Sequence, residues 1–231
     1  MKNGSFDVAF NLELHFFTEM FQGDIKCVGF DLDGTLYDEK EFIKQVYQPI
    51  AQFLSDISRK NQKQIYEYML ELWMEKGSSY SGIFQDSIDF SEIPVSKIAV
   101  SKCVEIYRCA PFSIRLGDSV LKLLDYCVER QFKLFIITDG NEKLQQRKIA
   151  SLGVARYIEK ENIVITGSMG KSFYKPSTAG LSKIGFVERY MPEQMVYIGD
   201  RDVDRDFSEN AGIHFIKAKN MAGRLETRRI F

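Results

Sequence analysis

What this sequence lacks narrows its function before any motif is read. Its 31 Lys+Arg against 32 Asp+Glu leave a net charge of −1, so it has no surplus of positive charge for holding a nucleic-acid backbone. Proline is scarce, 5 residues in 231, while 13% of the chain is aromatic; that balance argues against long disordered tracts. No apolar run approaches the roughly eighteen residues of a membrane span, and the N-terminus lacks the basic-then-apolar order of a secretory signal. A cytoplasmic protein that binds neither membrane nor nucleic acid is expected. Cysteine is sparse and scattered: Cys27, Cys103, Cys109 and Cys127 form no Cys-x-x-Cys pair, and His15 and His214 are the only imidazoles. Zinc is therefore disfavoured and reduced core thiols are expected. Internal repeats and low-complexity tracts are also absent.

What is present is an ordinary globular composition, 45% hydrophobic and 27% charged, arranged in three textures. Residues 1–23 form an aromatic-rich leader in which Phe10, Leu14, Phe17 and Phe21 recur at helical spacing. This predicts a short amphipathic helix packed on the body or on a second copy, compatible with a monomer or a homodimer. Residues 25–30 read Ile-Lys-Cys-Val-Gly-Phe and stop at Asp31-Leu32-Asp33-Gly34-Thr35, the pattern of a buried strand running into a polar loop. From Tyr37 to about Pro111 the texture turns helical. Phe42, Val46, Ile50, Phe53 and Leu54 make one apolar stripe, and Ile65, Met69, Leu72 and Trp73 make another, so this stretch reads as a helical insertion.

Beyond the insertion, helix and strand alternate. Helices are predicted around 120–128, over 144–152 and around 179–186; strands are predicted at 134–137, 163–165, 195–198 and 214–216. Alternation of this kind predicts an α/β fold, a doubly wound parallel sheet with helices on both faces. The domain expectation is a helical extension at 1–23, a core formed by 24–37 and 112–231, and an inserted α-helical cap at 38–111. In such sheets ligands bind at the carboxyl ends of the strands. Three strands here run into polar loops: Asp31 with Asp33, Thr138-Asp139-Gly140-Asn141, and Gly199-Asp200-Arg201-Asp202-Val203-Asp204. Converging carboxylates repel unless a cation compensates them, and hard oxygen donors without soft partners point to magnesium.

These loops carry four ordered motifs. FDLDGTLYD at 30–38 resembles DxDGT, the first motif of the haloacid dehalogenase superfamily of phosphohydrolases. TDG at 138–140 resembles the second, Lys175 in YKPS the third, and GDRDVDRD at 199–206 the fourth, an acidic loop after a strand. The resemblance runs from Ile25 to the end apart from the helical insertion, which sits where that family carries its variable cap. Taken singly each motif has a plainer reading: a solvated turn, a helix-capping threonine, a surface lysine, an exposed charged loop. Their order, each at a strand end or loop, carries the assignment.

The resemblance implies a division of labour. Asp31 is the nucleophile that forms an aspartyl-phosphate, and Asp33 is the general acid and base. Thr138 binds a phosphate oxygen with backbone groups around Asp139, Gly140 and Asn141, and Lys175 neutralises charge on Asp31 and the phosphate. Mg2+ is held by Asp31, Asp33 through its carbonyl, and Asp200, with Asp204 supporting from behind. Asp202 and Asp206 compete for that last role; Asp204 is favoured because the second acid commonly falls four positions after the first, ahead of an Asn-Ala-Gly like 210–212. An acid at Asp33 suits an alkoxide leaving group, so hydrolysis of a small phosphorylated metabolite (a sugar phosphate, phosphoglycolate or a nucleotide) is expected in preference to dehalogenation. A sugar phosphomutase ranks second, since no histidine lies between Asp33 and Pro111. A noncatalytic scaffold of the same fold ranks third.

Overall fold

Cys27–Phe30 are apolar on both faces, and as strand β1 they are buried along their whole length, as the centre of a parallel sheet requires. The computed structural model describes residues 21, 23–93, 97–218, 220–221 and 224–225. Phe10, Leu14 and Phe17 of the expected leader helix lie outside the described residues. Phe21 is buried, stacked on Tyr126 at 6.0 Å and edge-on to Phe132 at 5.5 Å.

After β1 come four helices, α1 (Glu39–Asp56), α2 (Gln62–Lys76), α3 (Ile83–Phe90) and α4 (Lys97–Cys109). Then follow α5 (Asp118–Glu129), β2 (Lys133–Thr138), α6 (Glu142–Leu152), β3 (Ile163–Ile165), β4 (Met195–Gly199), α7 (Asp202–Ala211) and β5 (His214–Lys217). A short antiparallel pair, β6 (Asn220–Met221) and β7 (Arg224–Leu225), comes last. The chain divides into two compact units, one ending at Asp38 and resuming at Arg115, the other Glu39–Ile114.

The inserted unit is helical because its apolar residues recur every third or fourth position. Phe42, Val46, Ile50 and Leu54 of α1 are all buried, as are Ile65, Met69 and Leu72 of α2. Asn61 starts α2 by accepting the Gln64 N–H at 3.0 Å, a capping contact that satisfies one of the orphan donors of the first turn.

The other unit holds a parallel sheet in the order β3-β2-β1-β4-β5. From β1 the chain steps outward through β2 and β3, then returns to β4 on the other side. The loops leaving β1 and β4 therefore diverge from adjacent strands, which opens a crevice at their carboxyl ends. Register fixes the depth of that crevice: Phe30 pairs with Ile198, and the next residue, Asp31, donates its N–H to the Ile198 carbonyl at 2.9 Å.

Two stretches differ from expectation. The helix expected around 179–186 is a short 3-10 segment, Thr178–Lys183, because Gly180 and Gly185 lower helix propensity and the run is too short to pay for α nucleation. The acidic run after β4 is not a loop throughout, since Asp202 begins α7 and puts Asp202 and Asp204 in its first turn, where the helix dipole favours carboxylates. Among the described residues no helix is long and apolar enough to cross a membrane.

Candidate active site

Asp31 leaves β1 almost fully enclosed, 1% exposed. Its Oδ1 lies 2.5 Å from Lys175 Nζ, while Oδ2 is buried with no hydrogen-bond partner among the described residues. The same ammonium lies 2.5 Å from Asp204 Oδ1 and 3.3 Å from the Tyr197 hydroxyl. Tyr197 in turn donates its proton to the Ile137 carbonyl at 2.6 Å, which leaves its oxygen a lone pair for the lysine. Asp204 is fixed from its other side, Oδ2 accepting the Arg201 N–H at 3.0 Å. The buried lysine and two buried aspartates thus form a charged chain across the floor of the crevice.

Asp200 completes this group, for carboxylate oxygens of Asp31, Asp200 and Asp204 all lie within 4.8 Å of one another. Carboxylates gathered this closely repel one another, a cost that a bound cation relieves. Three carboxylates that each bring an oxygen within 4.8 Å of the others suit a hard divalent ion. The residues present fit magnesium. Burial pushes the Asp31 carboxyl up to about 6, Lys175 pulling it back and Asp204 adding to the rise. Burial opposes charge on Lys175, yet Asp31 and Asp204 overcome it and hold the ammonium firmly protonated.

Backbone geometry brings Asp200 close. Gly34 has φ +75°, and a Cβ there would stand 2.5 Å from Asp200 Oδ2. Gly34→Ala is therefore expected to cost about 1–3 kcal/mol of stability through left-handed strain and to weaken magnesium binding. Thermal denaturation and metal titration check both, and an unaltered metal affinity would count against this packing.

A second cluster surrounds Asp33. Its carboxylate accepts hydrogen bonds from the Tyr37 hydroxyl, from Lys148 Nζ at 2.7 Å and from Gln145 Nε2 at 2.8 Å. Burial would raise its pKa, but Lys148, Tyr37 and Gln145 outweigh burial and hold the carboxyl below the usual range. Gln145 Nε2 also donates to Thr138 Oγ1 at 2.8 Å, so the buried threonine ending β2 is tied to Asp33. Gly140 follows with φ +112°, and Asn141 caps α6 by accepting the Leu144 N–H at 3.2 Å. A helix N-terminus at the carboxyl end of a strand suits a phosphate.

The structure sorts the expected site residues accordingly. Asp31, Lys175, Asp200 and Asp204 share one cluster, and Asp33 and Thr138 share the other. The Asp139 carboxylate is occupied elsewhere, Oδ1 accepting from Thr166 Oγ1 at 2.6 Å and from the Lys175 N–H at 3.3 Å, so it braces the lysine loop. Asp202 pairs with Arg205 at 3.3 Å and Lys217 at 3.4 Å, and Asp206 with Arg205 at 3.1 Å. Sequence reading passed over Tyr37, Gln145, Lys148, Thr166 and Tyr197. Gln145, Lys148 and Leu152 recur at helical spacing and the structure buries all three, but polar residues at that spacing carry no sign of burial in the sequence. Cys27, Cys103 and Cys127 are buried free thiols and Cys109 an exposed one.

A parallel sheet with a helical insertion after its first strand, and a carboxylate–lysine cluster at its switch point, defines a doubly wound α/β protein with its site at the carboxyl ends of the strands. The family model described as haloacid dehalogenase-like hydrolase matches residues 28–218, and the chain belongs to that family. It is 25% identical over 205 residues to glyceraldehyde 3-phosphate phosphatase of Methanocaldococcus jannaschii, covering 87% of this chain and 86% of that one. The protein of the same name from Methanothermobacter thermautotrophicus is 26% identical over 201 residues, 83% of this chain and 84% of that one. Among solved structures, a HAD-superfamily hydrolase of subfamily IA, variant 1, from Geobacter sulfurreducens superposes with a TM-score of 0.63 at 19% identity. The match covers 85% of this chain and 88% of that structure, and it carries the fold.

Proposed function

We propose that the protein is a magnesium-dependent phosphatase that cleaves the phosphate monoester of a small metabolite through an aspartyl-phosphate on Asp31. The observation that carries this reading is the asymmetry of Asp31: one oxygen is held by Lys175 at 2.5 Å and the other is buried and unpartnered. A carboxylate so placed is fixed in orientation while an oxygen remains to react. Two of the curated relatives, those described above, are glyceraldehyde 3-phosphate phosphatases, which makes that three-carbon phosphate the first substrate to test.

In this reading Asp31 attacks phosphorus, an Asp31 oxygen–phosphorus bond forms, and the phosphorus–alkoxide bond breaks. Thr138 and the amides near Gly140 grip the phosphate oxygens, and Lys175 balances charge on Asp31 throughout. Asp33 gives a proton to the departing alkoxide, then takes one from the water that splits the acyl phosphate, releasing inorganic phosphate and restoring Asp31. Because its neighbours hold Asp33 ionised at rest, its acid role needs a proton acquired as substrate binds. The incoming dianionic phosphate raises its proton affinity at that moment. Magnesium, held by Asp31, Asp200 and the Asp33 carbonyl with Asp204 behind, would supply neutralisation of the phosphate charge.

Phosphate release from glyceraldehyde 3-phosphate, phosphoglycolate, hexose phosphates and nucleotides tests this directly. EDTA is expected to lower turnover at least about 100-fold, with magnesium restoring it; undiminished release in EDTA overturns the metal's role. Migration of phosphate within a hexose phosphate, without release, would instead establish a mutase.

A further inference from the structure

Gln145 and Lys148 lie three residues apart on α6 and are 1% and 3% exposed. A buried amide and a buried ammonium on one helix face are costly unless each is matched. Here both are directed to the same carboxylate: Lys148 to Asp33 Oδ1 at 2.7 Å and Gln145 to Asp33 Oδ2 at 2.8 Å. Each carboxylate oxygen is thereby pinned, which fixes its plane as well as its position. Gln145 spends its other amide proton on Thr138 Oγ1 at 2.8 Å. The threonine hydroxyl therefore acts as acceptor toward Gln145, and among the described residues its own proton meets the Asp139 carbonyl at 3.4 Å. A contact of that length yields easily to a phosphate oxygen.

We infer that Gln145 and Lys148 are positioning residues for the reaction: Lys148 aims the Asp33 carboxyl at the leaving oxygen, and Gln145 locks that aim to the Thr138 hydroxyl that grips the phosphate. The assignment rests on the acid–base reading of Asp33 given above. It adds a physical link between the group that holds the phosphate and the group that moves the proton. A helix face that sequence alone reads as polar surface becomes part of the reaction's alignment.

The test uses two substrates that differ in their need for an acid. The alkoxide of glyceraldehyde 3-phosphate must be protonated as it leaves, whereas the phenolate of p-nitrophenyl phosphate departs without help. In single-turnover kinetics, which isolate the phosphorylation of Asp31, Lys148→Met is expected to slow alcohol release from the alkyl phosphate about 10- to 100-fold, with p-nitrophenolate release within about threefold of the parent. Gln145→Leu should give the same selective loss and in addition raise KM for both substrates, because it also releases Thr138. In an Asp33→Asn background, adding Lys148→Met should cost no more than about twofold on the alkyl phosphate, since residues acting through one group are not additive.

Equal losses on the two substrates, or a double variant whose losses multiply, overturn the positioning role while leaving the acid–base reading standing. If Asp33→Asn itself slows the single-turnover step equally on both substrates, the acid reading of Asp33 fails and this inference with it. Should Lys148→Met alone not fold, the double variant has no stranded carboxylate, and it decides the question together with Gln145→Leu.

Discussion

Asp31→Asn is expected to abolish phosphate release by a factor on the order of 10^4 or more, the scale on which loss of a nucleophile is felt, while the folded protein becomes more stable without metal. The two effects share one cause. The carboxylate sits 1% exposed beside Asp204, with one oxygen unpartnered, so the charge that the proposed nucleophile needs is also a strain on the fold. Its folded pKa is pushed up from 3.8 to about 6. A raised folded-state pKa means that this group's contribution to stability is present in full below about pH 3.8 and is lost as pH rises through about 6. At pH 7.5 in EDTA the ionised group costs up to about 3 kcal/mol, and the asparagine variant, which cannot ionise, escapes that cost. Its advantage in denaturant midpoint should shrink as pH falls from 7 toward 4, and magnesium should reverse it by stabilising only the parent. Retained turnover would remove the covalent mechanism. A stability difference flat with pH would mean that Asp31 is not the strained group.

Lys175→Met should show the opposite signature. The lysine neutralises Asp31 and Asp204, each at 2.5 Å and each buried, so its removal strands two carboxylates in a poorly solvated site. Breaking a buried pair by deleting one partner costs about 3–5 kcal/mol, and a lower urea midpoint with an unchanged slope would register it. Adding Asp204→Asn should recover part of that stability, because one stranded charge is then gone. Turnover should stay low in both variants, since neither restores a cation beside Asp31. A Lys175→Met protein as stable as its parent would show that the two aspartates do not depend on this ammonium. The comparison with Asp31→Asn separates the roles: the neutralised nucleophile gains stability and loses turnover, while the lost cation loses both.

Much of the core was legible because strands buried on both faces leave short apolar runs, and 25–30, 134–137 and 195–198 are such runs. The same logic failed at 179–186, where apolar residues at helical intervals are interrupted by glycine and the chain settles for a 3-10 segment. Composition and spacing also placed polar residues at the ends of β1, β2 and β4. They could not say which residues meet, since Asp31 and Lys175 stand 144 residues apart in the chain and a strand order of β3-β2-β1-β4-β5 brings them together.

The inside and outside of α7 were likewise open in the acidic run. Residues two apart on a helix point roughly 200° apart, so one of Asp202, Asp204 and Asp206 can face the floor of the crevice while its neighbours turn to Arg205 and Lys217. Asp204, fully buried, is the one that does. Gln145 and Lys148 were hidden for the converse reason: a polar side chain on a helix reads as solvated surface until tertiary packing supplies the carboxylate that makes its burial affordable. The sequence by itself determined the alternation of strands and helices, the helical insertion and the chemical types at the strand ends, because those are local consequences of hydrophobic period and backbone preference. Only the tertiary structure decided which charges share a desolvated site, because that depends on strand order and helix phase, and it is there that burial raises the Asp31 carboxyl while Asp31 and Asp204 hold Lys175 charged.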